Sequence, residues 1–142
     1  MTSDSPAPAK AAAAANPVDR QRAAYNAHDL NAFLACFAGN VIVYDSDGHI
    51  TAENRNGLKA TYETLFARSP HVRVRARQRI RLGPGEHRVI IDEEHVSGYV
   101  SSGGEERRFV LAVMYEVDRE LIHVVRFLTP PYAKAPRATA PA

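Results

Sequence analysis

The feature that most constrains this chain is a change of hydrophobic period near residue 70. Up to that point apolar residues recur at helical spacing. Leu30, Phe33, Leu34 and Phe37 fall at i, i+3, i+4 and i+7, and Leu58, Tyr62, Leu65 and Phe66 share one side of a later segment. Beyond Ser69-Pro70 the period becomes two. Val72, Val74, Ala76 and Ile80 alternate with Arg73, Arg75, Arg77, Arg79 and Arg81, and strand-like segments continue to residue 128. Turn signals interrupt them at Gly83-Pro84-Gly85, Ser101-Ser102-Gly103-Gly104 and Asp118-Arg119-Glu120. Connections this short join antiparallel neighbours. Helices followed by a strand meander predict an α+β fold, with three N-terminal helices packed on a curved antiparallel sheet.

Local signals sharpen the boundaries. Asn16-Pro17-Val18-Asp19 reads as a helix start, with an Asn cap and Pro at the first helical position, running to about Ala27. Asp29 can cap a second helix that Gly39 ends. Val41 to Tyr44 and Ile50 to Ala52 read as strands around a turn at Ser46-Asp47-Gly48. A third helix is expected from about Gly57 to Arg68, stopped by Ser69-Pro70. Residues 1–16 and 130–142 are nearly all Ala, Pro and small polar residues, a composition that predicts disordered tails around one domain at 17–129.

Charge and cysteine content exclude several classes. The chain has 18 basic and 16 acidic residues; without Asp4, Lys10, Lys134 and Arg137 in the tails, the body holds 15 of each. A neutral body argues against a nucleic-acid or anionic-membrane binder. The five arginines on 73–81 read as a solvated face paired with acids on neighbouring strands. One cysteine, Cys36, rules out an internal disulfide and any multi-cysteine zinc site. His-x-His and His-x-x-x-His spacings are absent, so no metal is expected. No phosphate-loop or dinucleotide motif occurs, so no organic cofactor is expected either. No apolar run reaches membrane-spanning length and no signal peptide is evident, so a cytoplasmic protein is expected.

The order of elements, together with the stretch Tyr25-Asn26-Ala27-His28-Asp29-Leu30-Asn31-Ala32-Phe33 and its continuation to Val41-Ile42-Val43-Tyr44-Asp45, resembles the nuclear transport factor two-like superfamily, in its SnoaL-like and ketosteroid-isomerase-like branches. The resemblance covers residues 17–129. It implies a conical cavity between helices and sheet, and an aspartate base at the end of the first strand, which falls on Asp45. It also implies two oxyanion donors, whose positions fall on Gln21 and near Val113, and neither residue is the expected donor. Because the superfamily holds isomerases, dehydratases, hydrolases, polyketide cyclases and non-enzymatic modules, the resemblance does not choose among them.

Strand alternation supplies a second set of candidates. If Val113 faces the cavity, so do Phe109, Leu111, Tyr115 and Val117. The matching face of the preceding strand is Val89, Ile91, Glu93 and His95, and that of the last strand is His123, Val125 and Phe127. The expected catalytic set is therefore Asp45, Glu93, His95 and His123. Asp45 is expected to carry a raised pKa in an apolar cone, and Glu93 to orient His95. The expected substrate-binding set is Tyr25, Tyr115, Val113, Phe127, Ile91 and Phe109. A single bulge would reverse a strand and bring Asp92 and Glu94 inward instead of Glu93 and His95. Two functions fit: an enzyme doing acid–base chemistry on a small apolar molecule (isomerase, cyclase, dehydratase or hydrolase), or a non-catalytic ligand-binding or dimerisation module. On the opposite sheet face Val110, Ala112, Met114, Ile122 and Val124 form an apolar patch rimmed by Arg108, Glu116 and Arg126. It predicts a homodimer centred near Met114.

Overall fold

Asn16 opens the first helix as its sequence predicts. In the computed structural model, which describes residues 16–130, its side chain accepts the Asp19 N–H at 2.9 Å and Pro17 takes the first helical position of α1 (Pro17–Ala27). The expected tails lie outside the described residues, apart from Asn16 and Pro130. α1 ends on His28, whose φ of 56° is left-handed. Two contacts hold it there: its ring stacks on Phe66, and its Nε2 lies 2.9 Å from the Val72 carbonyl. Asp29 caps α2 (Leu30–Leu34), accepting from the Ala32 N–H. This helix is shorter than expected. Phe37, the last member of the apolar stripe, opens β1 (Phe37–Tyr44) instead, where it pairs with Ile122. There follow β2 (Ile50–Glu53), α3 (Asn54–Arg68), β3 (Arg73–Leu82), β4 (His87–Val100), β5 (Glu106–Asp118) and β6 (Leu121–Phe127).

The strands form one sheet in the order β2-β1-β6-β5-β4-β3. Four of its pairings are antiparallel, as the short turns require. The fifth, β1 with β6, is parallel, so the sheet is mixed and not wholly antiparallel. It stays open, with β2 and β3 as edges. The exposed arginines of β3 put charge on one of those edges, which discourages pairing with another sheet. The helices cover one face. Val18, Phe33, Leu58, Ile90, Val113 and Ile122 are fully buried between the two layers. Each side chain so buried contributes roughly 1.5–3 kcal/mol.

Three irregularities decide which residues face the helices. On β5 the expected set holds: Phe109, Leu111, Val113, Tyr115 and Val117 are all buried. On β4 the register shifts between Val96 and Tyr99, around Gly98 with φ +74°. A Cβ at Gly98 would lie 2.2 Å from the His71 carbonyl oxygen, so the left-handed backbone and the close approach both require glycine. Past this bulge the inward residues are Ile90, Asp92, Glu94 and Val96, paired with Tyr115, Val113, Leu111 and Phe109. On β3 a shift between Ala76 and Gln78 leaves Arg77 unpaired and sets Arg79 beside Asp92. Ile80 and Leu82 turn to the outer face, 55% and 53% exposed. On β6 a shift at His123 sends Ile122 into the core opposite Val117, while Val124 stays outside opposite Glu116.

Candidate active site

A cavity of about 600 Å³ lies between α1, α3 and the inner sheet face. Its walls are largely aromatic, with Tyr25, Phe33, Tyr62, Tyr99, Phe109 and Phe127 among them. These rings are supplied by helix stripes and by inward strand positions. Tyr25 packs edge-on against Phe66 and Tyr62, which fixes one wall. At the solvent end stand Asp45, Asp47, Thr61 and Arg68. At the buried end stand Gln21, Arg22, Glu94 and Tyr115.

Glu94 supplies the carboxyl of the buried end. It is 6% exposed and Tyr115 is 5% exposed. The Tyr115 hydroxyl donates a hydrogen bond to Glu94 Oε2 and in turn accepts one from Gln21 Nε2 at 3.5 Å. Burial pushes the Glu94 carboxyl up to about 7; the Asp92 charge adds to this, while the Tyr115 hydrogen bond and the Arg22 and Arg79 charges oppose it. Burial, and then the neighbouring Glu94 charge, hold the Tyr115 phenol well above its ordinary range. Tyr115 is thus a lasting hydrogen-bond donor, whereas Glu94 changes charge near neutrality.

The charges around Glu94 explain why it has no counter-ion among the described residues. Asp92, fully buried, accepts from Arg22 Nη2 at 2.6 Å and from Arg79 Nε and Nη2 at 2.7 and 2.9 Å. The same two guanidiniums bond Asp19: Arg79 Nη2 at 2.7 Å and Arg22 Nη1 at 3.2 Å. Burial alone would raise the Asp19 pKa, but the hydrogen bonds and charges of Arg79 and Arg22 outweigh it and hold it below its usual value. Two cations therefore face two carboxylates within one cluster, and Glu94 is a third carboxyl beside it. Arg22 Nε is the one buried side-chain nitrogen or oxygen among the described residues without a hydrogen bond.

The expected site residues divide sharply. Tyr25, Tyr115, Phe109 and Phe127 line the cavity. Val113 lies on the same face, packed opposite Asp92 outside the lining. Ile91 is on the outer face, paired with Ile80 and Met114. Glu93 and His95 are also on that outer face, with His95 Nε2 3.0 Å from Glu93 Oε2, and the bulge at Gly98 is the cause. His123 is the extra residue of the β6 bulge and does not line the cavity. Asp45 does line it, at the solvent end and one-third exposed. Its carboxyl accepts the N–H groups of Asp47 and His49, each at 2.9 Å, closing the β1–β2 turn. The His49 amide first, then that of Asp47, hold its pKa below the usual carboxylate value, the reverse of the expected rise. The expected pairing of the β3 arginines with acids of neighbouring strands holds at Arg79, which bonds Asp92, but there the face is not solvated, because the Arg77 bulge turns Arg79 inward. For metal, Asp45, Asp47 and His49 are the described cluster with ligand atoms within 4.8 Å of one another, and it is an exposed turn already organised by backbone bonds.

Residues 18–125 match the SnoaL-like domain. The chain belongs to the SnoaL-like domain family. Among solved structures, it is similar to an uncharacterised cystatin-fold protein from Novosphingobium aromaticivorans, with 20% identity and a TM-score of 0.70, covering 80% of this chain and 95% of that one. A hypothetical protein with a ketosteroid-isomerase-like fold from Catenulispora acidiphila, in complex with trimethylamine, is 17% identical with a TM-score of 0.64, covering 81% and 85%. A polyketide cyclase candidate from Pseudomonas putida is 19% identical with a TM-score of 0.60, covering 81% and 90%. At these identities the likenesses establish the fold. No curated protein matches the chain. No helix among the described residues is long and apolar enough to cross a membrane.

Proposed function

We propose that this SnoaL-like protein is an enzyme that encloses a small, largely apolar molecule and moves a proton on it through Glu94. The observation that carries this reading is one carboxyl at the buried end of an aromatic cavity, bonded by a phenol and lacking its own cation among the described residues. Such a group exchanges protons near neutral pH, where an ordinary glutamate is fully ionised. In the simplest cycle Glu94 takes a proton from carbon beside a carbonyl, and returns it to the same or a neighbouring carbon. No atom is gained or lost, and no cofactor enters. Tyr115 keeps its proton and orients the carboxylate. The structural neighbour described as a polyketide cyclase candidate is consistent with such chemistry.

The test is solvent-deuterium exchange into a panel of cyclic ketones and enones, followed by proton NMR. Exchange should rise with pH through about 7, since the ionised carboxyl is the base. It should be lost in Glu94→Gln. Exchange that survives in that variant would remove Glu94 from the role. Ligand binding with no exchange for any compound would favour a non-catalytic binding module. We also propose that the outer sheet face is a homodimer interface. Ile80, Leu82 and Val110 are each about half exposed there, beside Ile91 and Met114.

A further inference from the structure

The charge arrangement at the buried end of the cavity narrows the ligand class. The groups facing Glu94 come from four elements. α1 presents Arg22 and the neutral Tyr25, with Asp19 bonded to Arg22 behind them, β3 presents Arg79, β4 presents Asp92, and β5 presents the neutral Tyr115. The two arginines are bonded to the two aspartates, so this cluster is balanced before Glu94 ionises. When it does ionise, the cavity gains a negative charge with no cation among the described residues bonded to it. Among the described residues the solvent end offers no excess of positive charge either: Asp45 and Asp47 stand with Arg68, whose Nε donates to the Val100 carbonyl. The intervening wall is aromatic, and ring faces attract organic cations.

From these observations we propose that the cavity takes a hydrophobic organic cation, an amine or ammonium compound whose charge sits against Glu94. The ligand supplies the counter-ion that the fold withholds. This rests on the cavity being the ligand site, as proposed above, and not on proton transfer. The two are compatible, because a bound cation would draw Glu94 into its ionised form. A buried carboxylate with an apolar surround costs several kcal/mol to leave unpaired, and an entering cation relieves that cost. A neutral ligand of the same shape leaves it in place. The structure therefore makes discrimination between the two depend on the charge state of one residue.

The test compares phenyltrimethylammonium with its uncharged isostere tert-butylbenzene, by ¹H–¹⁵N NMR titration of the full chain. The quaternary cation keeps its charge at every pH, so any pH dependence belongs to the protein. At pH 8.5 the cation should bind on the order of tenfold or more tightly than the isostere. Its affinity should fall about tenfold per pH unit below the Glu94 midpoint, while that of the isostere stays flat. In Glu94→Gln the pH dependence should vanish and the preference should fall at least severalfold, leaving only what the aromatic rings supply, with isostere binding retained as the sign of an intact cavity. Equal affinity at pH 8.5, or a preference and pH dependence unchanged in Glu94→Gln, would overturn the assignment. If that variant fails to fold, a preference in the unaltered protein that is flat from pH 5.5 to 8.5 would do the same. Binding of tert-butylbenzene alone would leave the cavity reading standing and remove the cation. Binding of neither probe would count against both.

Discussion

Replacing Glu94 with Gln should make the protein's stability profile less sensitive to pH, and the size of the change follows from the site. In the unfolded chain this carboxyl ionises near its ordinary value of 4.5; in the folded protein it ionises only at about 7. Below 4.5 both states hold the proton and the residue contributes no pH-dependent term. Between the two values the unfolded state releases its proton while the folded state keeps it, so stability falls as pH rises. Above about 7 both are ionised and the full penalty applies. A difference of about 2.5 units corresponds to about 3 kcal/mol. Glutamine cannot ionise, so Glu94→Gln lacks this term. The variant carries a pH-independent cost of roughly 1–3 kcal/mol, because its amide must find acceptors beside Tyr115. That cost cancels when the two proteins are compared across pH. The measurement is urea unfolding of both at pH 4.5, 6 and 8, at fixed protein concentration. The variant should be the less stable at pH 4.5 and should gain about 3 kcal/mol relative to the original by pH 8. All other titrating groups are shared and drop out of the difference. A gap that stays constant within about 0.5 kcal/mol would show that Glu94 is not a high-pKa group, and the chemistry assigned to it would fail with it.

Four further outcomes follow from other parts of the structure. Asp92→Asn leaves Arg22 and Arg79 sharing Asp19 alone, and should lower stability by about 3–5 kcal/mol in the same unfolding assay; the Glu94 midpoint should also move down, since the Asp92 charge helps to raise it. Gly98→Ala meets the His71 carbonyl and a left-handed backbone, and should cost at least about 2 kcal/mol, read as a lower urea midpoint. Asp45→Asn removes a charge held by turn amides at the solvent end, and should leave deuterium exchange within about twofold of the original. Met114→Asp puts a charge into the proposed dimer face and should give a monomer mass at tens of micromolar in sedimentation equilibrium, with tert-butylbenzene binding retained, whereas a monomer before substitution would sink the dimer.

Much of the fold was legible because its signals are local. The helix cap at Asn16, the stop at Ser69-Pro70 and the alternation of β5 all stand where the sequence puts them. The cavity's aromatic members from α1 and β5 were legible for the same reason. The parallel pairing of β1 with β6 was not. It joins segments some eighty residues apart, and no turn between them announces it.

The carboxyl that faces the cavity from β4 differs from the expected one through a single residue. Counting back from the hairpin at 101–104, alternation from Tyr99 leads through His95, Glu93 and Ile91, and Tyr99 does line the cavity. The count fails only at Gly98, where the bulge inserts one position and hands the inward face to Val96, Glu94 and Asp92. A glycine inside an otherwise β-rich run is the sequence mark of such a bulge. The two cations beside these buried carboxylates come from other elements of the fold. Arg79 is brought inward by another bulge, at Arg77, which no glycine marks, and Arg22 arrives from α1, seventy residues away. Burying Asp92 is tolerable only with both guanidiniums in place. The alternation of apolar and polar residues therefore located the sheet's inner face, but the identity of the carboxyl in the cavity was decided by where each strand slips. That is a property of backbone geometry at Arg77, Gly98 and His123, and only at Gly98 does it reach the level of residue type.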